Sequence, residues 1–391
     1  MNAPFPFAFS EAPDAAEAVR DVAAALAAAQ RQTAGAARAP APLGLVYASS
    51  GFADDVGAIV ETLRAATGVA AWTGAVGLGV IAGAREAFDA PALAAMLIDL
   101  PEDAVQPLSP IDNPAGFRAA AAQAAEFAGA AGAALGLIHV DPTGDPSGGG
   151  VANLPAELAE AGGLYLVGGL CSGREDMPAI DSAGAATGAV TGALVSLGSG
   201  VATGVSQGCA PIGPAREAEV AGVGVIARLG EMTAFEALMA DVGVTPTSPP
   251  EAIRAALAGL HIALPVPGAD RRDYVVRNIT GLDPENGLVG VAAAMSDGDQ
   301  AFFCRRDAAS AAKDLEEMAT ATRKRLGREP RGALYVSCLA RGPNLFGPNG
   351  EEVAIVRKAL GADCPVVGFF ANGEIAHDRL YGYTGVLTLF G

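Results

Sequence analysis

The segment CPVVGFFANGE at residues 364–374 places a short apolar strand directly before a glycine-containing corner that ends in a carboxylate. The segment GALYVSCLARG at residues 332–342 is similarly apolar, and EEVAIVRKAL at residues 351–360 lies between the two. Short apolar runs on either side of a helix of about three turns are typical of a β–α–β unit whose helix packs on a sheet. This part of the chain therefore predicts strand, loop, helix, strand and a Gly-rich corner.

The same pattern occurs twice more along the chain. LGLVYAS at residues 43–49 leads to the helix VGAIVETLRAAT and then to VAAWTGAVGLG. LGLIHV at residues 135–140 leads to VANLPAELAEA and then to GLYLVGGLCSG. Because internal repetition implies repeated architecture, the sequence predicts the α/β class, with two pseudo-equivalent domains in which helices pack on mixed β-sheets.

The chain between the second and third copies predicts antiparallel strands. RDYVVRNITG, NGLVGVAAAMS and DQAFFCRR are separated by Asn-Gly at 286–287 and Asp-Gly at 297–298, so we expect a meander. The following segment predicts a helix, with Asp307 as its N-terminal cap and Gly327 just past its end.

An uncharged stretch at residues 182–215 is long enough for a membrane span, but Gly, Ser and Thr interrupt it throughout. LGSGV at residues 197–201 supplies a turn, so we expect a hairpin of two strands instead. Pro211 and Pro214, which follow the expected hairpin, favour a domain boundary near residue 220. The predicted organisation is an N-terminal helix and linker at 1–40, an N-terminal domain at 41–220 and a C-terminal domain at 221–391.

Composition argues against several kinds of partner. The 391 residues carry a net charge of −18 and have a pI near 4.5, and a field of that sign repels nucleic acid and anionic membrane surfaces. Five cysteines are scattered without a CxxC pair or a metal-ligand spacing, as in reduced cytoplasmic proteins. The N-terminus lacks the basic start and apolar core of a signal peptide. We therefore expect a soluble cytoplasmic protein with no nucleic-acid or membrane partner.

Two C-terminal segments carry a resemblance to a known family. YVSCLARG at residues 335–342 and VVGFFANGEIAHDRLYGYTGVLTLF at residues 366–390 resemble the SCxxRG and GFFxxGEI segments of the FIST family, named for F-box and intracellular signal transduction proteins. TGAVGLG, GGLCSG and VSQGCAPIG are similar to the corners and the closing segment of that family's N-terminal domain. The resemblance extends over both FIST domains, from the first predicted β–α–β copy to the C-terminus.

The resemblance implies an intracellular sensory protein that binds a small ligand, such as an amino acid or a carboxylate-bearing metabolite. It implies no established catalytic reaction. Family members are often fused to signalling domains, for which this chain has no room, so a separate signalling partner protein is expected.

The last Gly-rich corner is the predicted ligand site. Gly373 would let a ligand approach the backbone closely, and Glu374 would accept a hydrogen bond from an ammonium or hydroxyl group. Phe370 would form an apolar wall, and Asn372 lies in the same corner. The alternative is that Glu374 is a structural carboxylate that accepts hydrogen bonds from loop amides.

The strand before the helix brings further residues to this corner, because the strands of a right-handed β–α–β unit end at the same edge of the sheet. Arg341 would pair with a ligand carboxylate or with Glu374, and would favour the thiolate form of Cys338. Alternatively, Cys338 is a small buried hydrophobic residue. The remaining predicted ligand-binding residues are Gly342 and, at the equivalent corner of the N-terminal domain, Cys171, Ser172 and Gly173.

Other functions stay open. Haem-based nitric oxide sensing is associated with a subset of FIST proteins, and His377 would be the axial ligand here. An enzyme would use Cys338 as nucleophile with Glu374 or His377 as acid or base, and a scaffold would bind no ligand. The three histidines lack zinc-ligand spacing, and GxSxG and GxxxxGK[ST] motifs are absent. We therefore predict no metal ion, no resident cofactor and no catalytic residue, and we favour a binding protein over an enzyme.

Overall fold

The computed structural model describes residues 3–33, 41–175, 177–245, 247–266 and 273–391. The chain divides into two units. The first contains Met1–Ser206 and Ala312–Gly391, and the second contains Gln207–Ala311. The chain therefore leaves the first unit, forms the second and returns.

A module of six strands and two helices begins the first unit and is then repeated. The first module consists of β1 (Phe7–Ser10), α1 (Ala15–Thr33), β2 (Leu43–Ser49), α2 (Val56–Thr67), β3 (Trp72–Gly77), β4 (Gly79–Ala82), β5 (Arg85–Phe88) and β6 (Leu93–Ile98). The second consists of β7 (Val105–Ile111), α3 (Pro114–Ala131), β8 (Ala134–Val140), α4 (Leu154–Gly162), β9 (Tyr165–Leu170), β10 (Ala179–Asp181), β11 (Gly184–Ala186) and β12 (Val190–Ser196).

The third module is interrupted after its first strand, β13 (Val201–Gln207). The second unit follows, with β14 (Cys209–Pro211), β15 (Arg216–Gly222), β16 (Val225–Leu229), β17 (Met232–Thr233), α5 (Ala234–Val242), α6 (Pro250–Leu257), β18 (Leu260–Pro265), β19 (Tyr274–Asp283), β20 (Leu288–Val291) and β21 (Gln300–Arg306). The module resumes with α7 (Ala308–Leu326), β22 (Gly332–Cys338), α8 (Glu351–Leu360), β23 (Val366–Ala371), β24 (Glu374–His377), β25 (Arg379–Tyr381) and β26 (Thr384–Phe390).

Each module contributes its hairpin to the sheet of a different module. Hairpin β4–β5 extends the third module beside β23, β10–β11 extends the first beside β3, and β24–β25 extends the second beside β9. The resulting six-stranded sheets have the orders β1-β6-β2-β3-β10-β11, β7-β12-β8-β9-β24-β25 and β13-β26-β22-β23-β4-β5. Buried apolar side chains form a separate cluster in each module. The cyclic exchange of hairpins joins the three modules into one unit.

A glycine occupies the same position in the second strand of each parallel pair, opposite Val46, Ile138 or Tyr335 of the first strand. A Cβ atom there would lie 1.6–1.7 Å from the carbonyl oxygen of the opposing residue, so no other amino acid fits. The arriving hairpin places an isoleucine against each glycine. The glycines are Gly74, Gly168 and Gly368, and the isoleucines are Ile180, Ile375 and Ile81 in the same order. These matched contacts define equivalent positions in the three modules.

The second unit is built on antiparallel strands. Its pairings form a closed ring in the order β21-β15-β16-β20-β19-β18 and back to β21, with β14 as an additional edge strand on β21. Helix α5 begins with a capping box in which Thr233 and Glu236 bond to each other's backbone N–H groups. Its apolar face packs into the core of this unit.

Most of the predicted architecture is confirmed. The class is α/β, the sheets are mixed, and each of the three predicted β–α–β copies has a parallel strand pair. Helix α7 is confirmed, since the Asp307 carboxylate accepts a hydrogen bond from the Ser310 N–H. In the described residues, no helix combines the length and the hydrophobicity needed to cross a membrane.

Two strand pairings were predicted incorrectly. The strands on either side of residues 197–201 exist, but β12 and β13 lie in different sheets and do not form a hairpin. In the expected meander, β19 and β20 do pair, whereas β20 then pairs with β16 and β21 pairs with β18. Residue 272, the first of this segment, lies outside the described residues, as do residues 34–40 of the expected linker. The domain limits at 1–40, 41–220 and 221–391 stay predictions.

Candidate functional site

The predicted site lies where β22 and β23 end. The two strands are adjacent and parallel, with Cys338 opposite Ala371, so the corner that follows β23 lies beside the end of β22. Gly373 has a φ of 130°, and a Cβ atom there would lie 2.9 Å from the Leu380 side chain. Asn372 is exposed, and its N–H donates to the Leu170 carbonyl.

The carboxyl group of Glu374 is fully buried but only half satisfied. Its Oε2 accepts hydrogen bonds from the Thr384 N–H at 3.0 Å and from the Thr384 hydroxyl at 2.7 Å. Its Oε1 has no hydrogen-bond partner in the described protein. Burial raises the pKa of Glu374 to about 7, against smaller lowering effects of Thr384, Cys338 and Arg341. One carboxylate oxygen is therefore buried without a backbone or hydroxyl donor, and the nearby Cys338 thiol is only a weak one.

Cys338 performs a structural task that recurs in all three modules. Its Sγ accepts a hydrogen bond from the Tyr383 N–H, just before the closing strand, at 3.2 Å. At the equivalent positions, the Ser49 hydroxyl accepts from Ala92 and the Asp141 carboxylate accepts from Gly188. Burial first, and Glu374 second, raise the pKa of the Cys338 thiol, which is the opposite of the direction that a thiolate nucleophile requires.

Glu374 has no such structural counterpart. Its register against β9 makes it equivalent to Val80 of the first module and Ala179 of the second. The fold therefore accepts a small apolar side chain at this position, and burying a carboxyl group there costs free energy. The carboxyl group of Glu374 is therefore not required for the packing of the module.

Arg341 is fully buried and pairs with Glu352, not with Glu374. Its Nε donates to Glu352 Oε1 at 2.6 Å, while its terminal nitrogens make only long contacts of 3.4 Å with Ser206 and the Tyr335 hydroxyl. The guanidinium also lies 5.1 Å from the centre of the Phe346 ring. The predicted pairing with Glu374 is thus replaced by a buried ion pair within the third module.

Glu352 was missed by the sequence analysis. Besides Arg341, it accepts hydrogen bonds from the Tyr335 hydroxyl at 2.7 Å, the Ser337 hydroxyl at 2.9 Å and the Gly342 N–H at 2.8 Å. The only signal was its place in the first turn of α8, where acidic residues are common for helix-dipole reasons alone. With four donors, Glu352 is a structural carboxylate that holds the loop after β22.

Glu86 was also missed, because it lies 267 residues before its partner in the chain. It comes from the first module's hairpin, and its Oε1 accepts a hydrogen bond from the Val353 N–H in the first turn of α8 at 2.7 Å. Its Oε2 is buried without a hydrogen-bond partner in the described protein. Burial, with a smaller contribution from Glu352 and Glu351, raises the pKa of Glu86 to about 7.

Gly342 and Phe370, two of the predicted ligand-binding residues, are in contact in the structure. Gly342 has a φ of 50°, and a Cβ atom there would lie 2.4 Å from the Phe370 ring, so only glycine fits. Phe370 is fully buried. It therefore packs inside the site and is not an exposed wall.

The corner of the second module contacts the corner of the third through Ser172. Its hydroxyl donates to the Phe370 carbonyl and accepts a hydrogen bond from the Leu78 N–H at 2.9 Å. Cys171 is fully buried, and its N–H donates to the Val140 carbonyl, whereas Gly173 is partly exposed. Corners from all three modules therefore meet at this point.

His377 lies apart from this cluster. Its side chain is 54% exposed, and its Nδ1 lies 2.7 Å from the Asp378 carboxylate. Its ring forms a T-shaped contact with the Tyr165 ring, with ring centres 5.2 Å apart. Among the described residues, no group of three or more His, Cys, Asp or Glu side chains is arranged to hold a metal ion.

The two buried carboxyl groups predict an unusual dependence of stability on pH. The folded-state pKa values of Glu374 and Glu86, about 7, exceed the ordinary value of 4.5. Their stabilising contribution is therefore fully present below pH 4.5 and is lost as pH rises through 7. Because of Glu374 alone, we expect the free energy of unfolding to fall by about 3 kcal/mol between pH 4.5 and pH 8. Urea unfolding across this range should show the decline, and Glu374→Gln should remove the part due to Glu374 while the part due to Glu86 stays; an unchanged slope in this variant would contradict the assignment.

Comparison with protein families gives two adjoining matches. The FIST N domain matches residues 42–232, and the FIST C domain matches residues 234–377. The chain belongs to the FIST family. The residues of the third-module corner fall in the FIST C match, and Cys171, Ser172 and Gly173 fall in the FIST N match.

The chain is also similar to two uncharacterized mycobacterial proteins, one over nearly the full length and one over about half. The uncharacterized protein Rv0628c of Mycobacterium tuberculosis is 30% identical over 393 residues, 97% of this chain and 98% of that protein. The uncharacterized protein Mb0898c of Mycobacterium bovis is 32% identical over 195 residues, 48% of this chain and 49% of that protein. The border between the two FIST matches lies inside the second unit, so neither FIST domain coincides with one structural unit.

Proposed function

We propose that this FIST protein is a cytoplasmic sensory protein that binds a small amino-acid-like metabolite at the third-module corner and signals through a separate partner protein. FIST domains are associated with sensing in signal transduction. The observation that carries the proposal is the buried Glu374 carboxyl group, with one oxygen unpartnered, at a position where the other modules have Val80 and Ala179.

The ligand would present an ammonium group to Glu374 Oε1. A charge-assisted hydrogen bond of this kind contributes about 1.5–3 kcal/mol, which offsets the cost of burying the carboxylate. Arg341 is not assigned to a ligand carboxylate, because Glu352 already holds its Nε. The backbone of Tyr383 and Thr384 bonds to Cys338 and Glu374, so ligand entry would displace this segment.

The experiment is a thermal-shift screen of free amino acids and primary amines, each beside its N-acetylated counterpart. Screening at pH 8 keeps Glu374 ionised. A ligand at 100 times its Kd adds about 2.7 kcal/mol of stability. We expect the free amines to stabilise the protein and the acetylated counterparts, which lack the cation, to have no effect.

Glu374→Gln should then weaken the binding of any hit by about tenfold or more, since the loss of a charge-assisted bond is worth at least 1.4 kcal/mol. Glu86→Gln is the matched control, because that carboxyl group is partly buried and, like Glu374, has one oxygen without a hydrogen-bond partner. Without ligand, the stability of the Glu374→Gln variant should equal that of wild type at pH 4.5. Unchanged affinity in Glu374→Gln, or equal binding of the acetylated compounds, would refute the proposed site.

A further inference from the structure

Cys209 and Cys304 lie on neighbouring strands of the second unit. Strand β14 pairs with β21 in antiparallel register, with Cys209 opposite Arg306 and Pro211 opposite Cys304. Paired residues of an antiparallel ladder project to the same face, and side chains two positions apart along a strand share that face. The two cysteines are therefore diagonal neighbours on one face of the sheet.

The two thiols are both buried and lie close enough to affect each other. Cys209 is 3% exposed and Cys304 is fully buried, and neither is part of a disulfide. The Cys209 thiol is close enough to raise the pKa of Cys304, ahead of the effect of burial. Within residues 207–311 they are the only two cysteines in the sequence.

The strand that carries Cys209 is short and lies at the edge of its sheet. Strand β14 has three residues, contains Pro211 and, among the described strands, pairs only with β21 at the edge of the sheet. Cβ atoms of diagonal neighbours typically lie somewhat less than 7–8 Å apart, whereas a disulfide requires about 3.5–4.5 Å. A bond between Cys209 and Cys304 would therefore draw β14 towards β21 and rearrange the backbone around it.

We propose that Cys209 and Cys304 form a reversible disulfide on oxidation by a hydroperoxide, which makes the second unit redox-responsive independently of the ligand site. The Cys209 thiol, the less buried of the two, loses its proton, and its sulfur attacks the O–O bond of hydrogen peroxide, which gives a sulfenic acid and releases water. The Cys304 sulfur then attacks the sulfenic sulfur and forms the S–S bond, and the Cys304 thiol proton and the expelled hydroxide give a second water. Cytoplasmic disulfides of this kind are typically transient and redox-sensing.

The test is to treat the folded protein with hydrogen peroxide at pH 8 and to count free thiols after denaturation. Wild type has five cysteines, so we expect five thiols before oxidation and three afterwards, with a loss of two mass units. Cys209→Ser should keep all four remaining thiols, whereas Cys304→Ser should form a sulfenic acid at Cys209 and keep three, and neither variant should form the disulfide. The matched control Cys364→Ser, which removes a buried cysteine of the first unit, should fall from four thiols to two.

Peptide mapping and hydrogen exchange complete the experiment. The oxidised protein should yield one cross-linked peptide containing both cysteines, altered amide exchange at residues 207–213, and full reversal with dithiothreitol. In wild type, a gain of oxygen without a cross-link, a bond that uses another cysteine, or retention of all five thiols would each overturn the proposal. Because every readout is taken without an amine ligand, failure of the proposed ligand site would leave this test unaffected.

Discussion

Replacing Arg341 with methionine should destabilise the protein by about 3–5 kcal/mol. The substitution keeps much of the side-chain volume but leaves the buried Glu352 carboxylate without its cation, although Tyr335, Ser337 and Gly342 still donate to it. Removing one partner of a buried ion pair is costly because the other charge stays in a low-dielectric interior. Urea unfolding followed by the fluorescence of Trp72, the single tryptophan and a buried residue of the first unit, measures the change.

Two further variants show whether the ion pair causes this effect. Arg174→Met removes an arginine that is 71% exposed and paired with Asp89, and should change stability by less than about 1 kcal/mol. The double variant Arg341→Met with Glu352→Gln should regain about 1–3 kcal/mol relative to the single variant. If the double variant were less stable than Arg341→Met, the loss would come from packing and not from an uncompensated charge.

Local patterns were sufficient to predict the β–α–β units. Apolar strands, an amphipathic helix and a glycine corner are encoded within a few tens of residues, and α7 is bounded by its own capping residues Asp307 and Gly327. The parallel pairing of Cys338 with Ala371 follows from that local order. The sequence could therefore place Cys338 beside the corner that contains Glu374, without any knowledge of the rest of the chain.

These local patterns could not predict which strands pair over long distances in the sequence. Nothing near residues 197–201 indicates that β12 and β13 join different sheets, because a turn signal specifies a chain reversal and not the partner of each strand. The exchange of hairpins likewise brings Glu86 to the first turn of α8 from a distant part of the sequence. Arg341 was expected to meet Glu374, but the more favourable partner, Glu352, resembled an ordinary acidic residue of a helix N-terminus.

Gly368→Ala should destabilise the first unit by about 4 kcal/mol or more, which is exceptional for the addition of one methyl group. The new Cβ atom would lie 1.7 Å from the Tyr335 carbonyl oxygen, so β22 and β23 would have to separate. The two strands carry Cys338 and the corner with Glu374, and β23 also receives the first module's hairpin. We therefore expect loss of the cooperative unfolding transition, or failure to fold, rather than a local adjustment.

The equivalence of the three modules makes this prediction more specific. Gly168→Ala should be equally severe, because its Cβ atom would lie 1.7 Å from the Ile138 carbonyl oxygen. Gly129→Ala is the matched control: this glycine lies in α3 with open space around its Cβ position, and alanine there should add up to about 1 kcal/mol. Trp72 fluorescence during urea unfolding again reports on the first unit. If Gly368→Ala and Gly168→Ala unfolded like Gly129→Ala, close strand approach would not be the reason for glycine, and the equivalence drawn between Glu374, Val80 and Ala179 would lose its basis.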